Sequence, residues 1–277
     1  MNLLQAIFLG FIQGVAEFLP ISSSGHLAIF QNLFHMNGVG EVDLFFDVLL
    51  HFGTLFSVLL VYWKDIRGIV LEFFTMIRLR RRQEGEKDDP ISRRMIWFIM
   101  IGTLPLVIAM LFKDSVEALY SNMFFIAFAL MVTGLILHLS DHFGGGAKQA
   151  KNATILDALL IGVGQMLAIV PGLSRSGTTI SAGMARGFER SFAVKFSFLL
   201  SIPAILGASL LELLEVFSTG IDVSMLPYYL TGMVTAAVCG YLSIRLLERI
   251  TRSNRFGAFA YYCWGAAAVT LFLSLIA

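Results

Sequence analysis

The chain has 277 residues, 57% of them hydrophobic and only 14% charged, with a mean hydropathy of +0.79. A soluble domain carries about a quarter charged residues, so a chain this apolar exceeds what one core can hide and must face lipid. The net charge of +1 argues against a nucleic-acid partner, and Cys239 and Cys263 both lie in uncharged apolar runs that give no reason to pair them.

In chain order, residues 1–16 carry no charged side chain and lack the basic start of a cleavable signal. The first 40 residues are apolar but interrupted. From Gly10 to Phe30 they read GFIQGVAEFLPISSSGHLAIF, which predicts a short helix, a Pro-Ser-Gly loop and a second short helix. Three spans of membrane-crossing length follow at about 44–63, 95–112 and 121–140. Residues 154–188 are broken in the same way, reading GVGQMLAIVPGLSRSGTTISAGM from Gly162 to Met184. Three more spans complete the chain at about 191–213, 226–247 and 256–276.

The two broken segments align at an offset of 152 residues: Gly10 with Gly162, Gln13 with Gln165, Ser22 with Ser174, Ser24 with Ser176, Gly25 with Gly177. An odd number of spans separates them, which inverts the second relative to the first. Non-helical backbone at membrane depth survives only inside protein or beside a wet cavity, and inverted repeats place sites where such breaks meet. The expected fold is an all-α polytopic membrane protein with six full transmembrane helices and two re-entrant helix-loop-helix hairpins in an inverted-topology repeat. It is one integral membrane domain over 1–277. Repeat 1 covers about 1–112 with hairpin 1–40, and repeat 2 covers about 154–247 with hairpin 154–188.

Nine Lys or Arg residues lie in 64–94, five besides Arg175 in 141–195 and four in 245–255, whereas the opposite loops carry Glu41, Asp43, Asp114, Glu117, Glu215 and Asp222. The positive-inside rule then places those three regions in the cytoplasm and both termini outside. The run Arg78 to Arg82 reads as an anchor at the cytoplasmic headgroups.

Ionisable residues at membrane depth mark function by default. Hairpin 1 supplies Glu17 and His26 with Ser22, Ser23 and Ser24 between them; hairpin 2 supplies Arg175 between Ser174 and Ser176, followed by Thr178 and Thr179. Arg175 cannot shed its proton and needs an anion. Glu17 is one candidate; a phosphate held by the guanidinium, the hydroxyls and a helix N-terminus is the stronger one. Gln13 shares a helix face with Glu17 at i and i+4, and the two offer oxygens to a hard divalent cation that also binds substrate phosphates. His26 is a candidate general acid, general base or nucleophile. His51 and Asp47, also at i and i+4, are weaker candidates for a supporting role.

The run Gln13-Gly-Val-Ala-Glu17-Phe-Leu-Pro20-Ile-Ser22-Ser23-Ser24-Gly25-His26 resembles the first signature of the undecaprenyl-diphosphate phosphatases, the bacitracin-resistance family. Pro171-Gly172-Leu173-Ser174-Arg175-Ser176-Gly177-Thr178-Thr179 is similar to the second. The resemblance spans essentially the whole chain. It implies hydrolysis of undecaprenyl diphosphate at the external face of the bacterial inner membrane, with Mg²⁺ or Ca²⁺, and a homodimer. It implies Glu17, Ser23, His26 and Arg175 as essential residues, and Ser174, Ser176 and Thr179 as phosphate ligands. Some members carry Glu where this chain has Gln13. The nucleophile stays open between Ser23, His26 and water. The competing reading is a polyprenyl-phosphate flippase or secondary transporter with an anion site at the repeat interface. A phosphatidic-acid-phosphatase type is excluded, because no Arg-Pro pair occurs and no histidine follows His142.

Overall fold

Apolar runs of spanning length become helices because the bilayer offers backbone groups no other partner. The computed structural model describes residues 1–36, 44–81, 88–143, 146–219, 222–252 and 255–276. Glu41, Asp43, Arg82 and Lys87, counted above in the charge pattern, lie outside them. The helices are α1 (Leu3–Phe18), α2 (Ser23–Met36), α3 (Leu44–Val61), α4 (Trp63–Met76), α5 (Pro90–Ala109) and α6 (Lys113–Glu117). They continue with α7 (Met123–Ser140), α8 (Ile155–Leu167), α9 (Arg175–Ala185), α10 (Arg190–Thr219), α11 (Leu226–Arg252) and α12 (Phe259–Ile276).

Helices α3, α5, α7, α10, α11 and α12 fall on the six expected spans and are long and apolar enough to cross a membrane. Helix α5 starts earlier than its apolar run because Asp89 caps it, accepting from Ser92 N at 3.0 Å, and Pro90 fits the first turn. The stretch after α3, expected to be loop, begins with the 14-residue helix α4. A search for 20-residue apolar runs misses it: Trp63, Val70, Phe73 and Phe74 lie exposed while Asp65, Arg67 and Glu72 punctuate the sequence, which suits the bilayer interface. Glu72 is buried there by an ion pair with Arg93 at 2.7 Å.

The two halves pack in mirrored fashion. The first helix of hairpin 1, α1, lies along α11, and the first helix of hairpin 2, α8, lies along α5; α7 pairs with α12, and α3 with α10. The repeated glycines explain themselves here. A Cβ on Gly10 would stand 2.5 Å from the Gly232 carbonyl oxygen, and one on Gly162 would collide with the Gly102 carbonyl. Each half therefore uses the same glycine to bring its hairpin against a helix of the other half.

The described basic residues of the three loops gather at one end, where the loops are tied together. Arg94 donates to the carbonyls of Ala150 and Ala153 at 3.0 and 2.8 Å, Lys195 pairs with Asp65 at 2.8 Å, and Arg190 with Asp141 at 3.1 Å. Buried Asp157 takes Arg186 at 2.7 Å and Lys148 at 3.2 Å.

Candidate active site at the meeting of two hairpins

Helix α1 stops at Phe18 because Pro20 cannot continue it, and Ser22 then adopts φ 70°, a left-handed backbone that costs a non-glycine residue about 1–3 kcal/mol. From that position Ser22 caps α2, its Oγ accepting from Gly25 N at 3.2 Å. Hairpin 2 repeats the device: Gly172 takes φ 95°, and Ser174 Oγ accepts from Gly177 N at 3.0 Å. The Ser22–Ser24 hydroxyls lie 3.4 Å apart and the Ser174–Ser176 hydroxyls 3.2 Å. The repeated Ser-x-Ser-Gly is thus a repeated helix start, whose first N–H groups have no intrahelical acceptor. Helix α7 pins one tip, with Thr133 Oγ1 donating to Gly172 O at 2.8 Å and accepting from Ser174 N at 3.1 Å. Helix α12 pins the other, where the Cys263 thiol lies 3.6 Å from Pro20 O.

The tips meet across Glu17. Arg175 Nη2 donates to Glu17 Oε1 at 2.5 Å, and Ser176 Oγ donates to Leu19 O at 3.3 Å. Glu17 Oε2 accepts from Ser23 Oγ at 2.6 Å and from Gln13 Nε2 at 3.2 Å. Glu17 is only 7% exposed, so a charge taken from water is repaid by three donors, one cationic. Ser23 presents its proton to a carboxylate and keeps its oxygen lone pairs for attack, the geometry of an activated hydroxyl. Two buried polar atoms here have no partner among the described residues: Arg175 Nη1, a cationic donor, and Gln13 Oε1, an acceptor.

The other predicted residues are placed as follows. His26 does not touch Ser23 or Glu17: Nδ1 lies 2.8 Å from Ser22 O and Nε2 lies 2.9 Å from the Tyr262 hydroxyl. Thr178 donates to Ser174 O and Thr179 to Arg175 O, each at 2.8 Å, and Thr179 also meets Ser197 Oγ at 2.6 Å. Ser22, Ser174, Ser176 and Thr179 are buried, whereas Ser23, Ser24 and Thr178 are partly open. Among the described residues no group of three or more His, Cys, Asp or Glu is arranged to hold a metal.

His51, a weak candidate from its spacing, enters the network: its Nδ1 lies 3.1 Å from Gln13 Nε2. That amide nitrogen faces a carboxylate and must donate, so Nδ1 accepts. Sequence reasoning missed Tyr262, Thr133 and Ser197. Nothing in the apolar runs around them distinguishes them from packing residues. From Phe18, next to Glu17, packed rings run towards the basic end, Phe18 on Phe198 at 5.3 Å and Phe198 on Tyr62 at 6.2 Å.

Comparison with known proteins covers nearly the whole chain. The family model described as bacitracin resistance protein BacA matches residues 6–269. The undecaprenyl-diphosphatase of Halothermothrix orenii is 40% identical over 275 residues, covering 99% of both chains. Those of Methanobrevibacter smithii and Desulforapulum autotrophicum are 42% identical over 270 residues, 95% of each chain, and 40% identical over 282 residues, 100% of each.

Proposed function

This chain belongs to the bacitracin resistance protein BacA family, and from that premise we propose how its paired hairpins carry out the family's reaction. The protein is a membrane-embedded hydrolase that converts undecaprenyl diphosphate to undecaprenyl phosphate and inorganic phosphate. It thereby recycles the lipid carrier of cell-wall synthesis.

The observation that carries the mechanism is the chain Ser23–Glu17–Arg175 across the hairpin interface. The terminal phosphate binds Arg175, whose Nη1 is free, and the N-termini of α2 and α9, where N–H groups and helix dipoles favour an anion. Drawing Arg175 towards phosphate leaves Glu17 a stronger base. Ser23 Oγ attacks the terminal phosphorus, its proton passes to Glu17 Oε2, and the bond from phosphorus to the bridging oxygen breaks to release undecaprenyl phosphate. Water then cleaves the phosphoserine. Ser24 and Thr178, partly open, add hydroxyls at the phosphate. Ser22, Ser174, Ser176 and Thr179 shape the two helix starts through the bonds given above.

A Mg²⁺ or Ca²⁺ ion fits this donor set in one way. Gln13 Oε1 is a buried oxygen without a donor among the described residues, and Glu17 stands beside it. Gln13 and Glu17 would hold such a cation beside the diphosphate, as carboxylate and amide oxygens suit Mg²⁺. The chemistry it would supply there is neutralisation of phosphate charge.

The basic end faces the cytoplasm, and the Phe18–Phe198–Tyr62 rings run towards it, so the substrate head enters from outside. The proposal also includes a homodimer. A Cβ on Gly265 of α12 would meet nothing within 4 Å among the described residues, and with Ala268 one turn on it leaves a small-residue face for the dimer.

The test is phosphate release from undecaprenyl diphosphate by purified protein in detergent, where no transport step exists. Ser23→Ala and Glu17→Gln are expected to lose at least about a hundredfold, the low end for general-base contributions. Arg175→Ala is expected to lose more than Arg175→Lys, chelator to suppress the wild type, and acid quench to trap phosphate on Ser23. The double variant Glu17→Gln with Arg175→Met removes the buried pair together and serves as the folded, inactive control. Wild-type turnover by Ser23→Ala sinks the proposal.

A further inference from the structure

Tyr262 lies on α12, outside both hairpins, yet its hydroxyl is 2.9 Å from His26 Nε2 and its ring stacks on the imidazole at 5.6 Å and 18°. We infer that Tyr262 is a positioning residue for His26, holding that imidazole as the base for the water that hydrolyses the phosphoserine. The inference rests on Ser23 being the nucleophile.

The reasoning starts from proton accounting. Glu17 leaves the first half-reaction protonated, so the second needs another base within reach of a phosphate on Ser23. His26 follows Ser23 by three residues in α2, which puts both on one helix face. It makes no bond to Ser23 or Glu17 and is unused in the first half-reaction. A carbonyl only accepts, so the contact with Ser22 O puts the proton on Nδ1 and the lone pair on Nε2. The strained backbone of Ser22 aims that carbonyl, which also accepts His26 N–H at 3.2 Å. One anchor leaves a ring free to tilt about the bond; Tyr262 supplies the second through its stacked ring and the hydroxyl it donates to Nε2. Tyr262 is 49% exposed against 7% for His26, so it is the less confined of the two.

The step balances. Water oxygen bonds to phosphorus as its proton passes to Nε2, the bond from phosphorus to Ser23 Oγ breaks, and Oγ recovers the proton held by Glu17. His26 then releases its proton to the departing phosphate.

The experiment compares wild type, Tyr262→Phe and Tyr262→Ala by steady-state kinetics, by acid-quenched phosphoserine during turnover, and by the rate at which diethylpyrocarbonate acylates His26, read on its peptide by mass spectrometry. Tyr262→Phe keeps the ring and loses the hydroxyl. It is expected to lower kcat about tenfold, a fraction of a general base's contribution, with KM near wild type. Phosphoserine accumulates and His26 acylates faster because Nε2 has lost its cover; Tyr262→Ala falls further. Phosphoserine that turns over at the same rate in wild type and Tyr262→Phe, with unchanged acylation, overturns the inference alone. Absence of phosphoserine in the wild type and in both variants refutes the Ser23 reading and, with it, the half-reaction assigned to His26.

Discussion

Ser23 and Arg175 are the same residue position twice. They stand 152 residues apart, each the first residue of a helix capped by the serine before it. In the proposed mechanism one copy carries the attacking oxygen and the other the cation that receives the phosphate, and duplication of one helix start brings both to Glu17. The positions preceding them have diverged further. Gln13 bonds Glu17 and His51, but its counterpart Gln165 has Ile169 where Glu17 would be, and neither of its side-chain polar atoms has a partner among the described residues. At 1% exposure that amide is a cost without a visible return. Replacing an unsatisfied buried polar group by an apolar one of similar shape is neutral or stabilising, and leaving it unsatisfied costs about 1–3 kcal/mol. Gln165→Met is therefore expected to raise the melting temperature of the purified protein and to leave phosphate release at the wild-type rate. A lower melting temperature would mean that Gln165 has a use in the fold.

At the scale of elements, hairpins can re-enter the bilayer only if a neighbouring helix accepts them closely, and glycine makes that possible. Gly10→Ala and Gly162→Ala each drive a methyl against a backbone carbonyl of the opposite half, an overpacking expected to cost about 1–3 kcal/mol apiece. Gly207→Ala is the control, since a Cβ there meets nothing within 4 Å. If all three variants melt alike in detergent, close approach is not what these glycines provide. The hairpins were legible in sequence because a proline and a serine run are conspicuous in an apolar stretch, and because the same interruption recurs inverted. Helix α4 was not legible, because an interfacial helix of 14 residues mixes charge and aromatic side chains and looks like loop to a search for spans. The pinning of the tips by Thr133 and Cys263 was hidden for the opposite reason: a threonine or a cysteine within a span is ordinary packing until the loop it holds is seen.

On the scale of the whole molecule, the charged centre was legible because charge at membrane depth is expensive, which singled out Glu17, His26 and Arg175 without any knowledge of their contacts. Their division of labour was not. Spacing along α2 allowed His26 to serve Ser23, and only the fold shows Glu17 on the serine and His26 turned to Ser22 and Tyr262. The two hairpins pack alike, α1 on α11 and α8 on α5, and the charge of the loops is what gives the protein two chemically distinct ends. The end bearing Arg94, Lys151, Arg186 and Arg190 is knitted by ion pairs and carbonyl contacts, and the positive-inside rule predicts it on the cytoplasmic side. In the proposed mechanism that orientation decides which leaflet supplies the substrate head. It is testable with two exposed positions at opposite ends, Ser121 before α7 and Lys151 before α8. In a protein whose Cys239 and Cys263 are replaced by alanine, Ser121→Cys should react with a membrane-impermeant maleimide in intact cells, and Lys151→Cys only after permeabilisation. The reverse pattern would turn the active centre towards the cytoplasm and require the diphosphate to reach Arg175 from the inner leaflet.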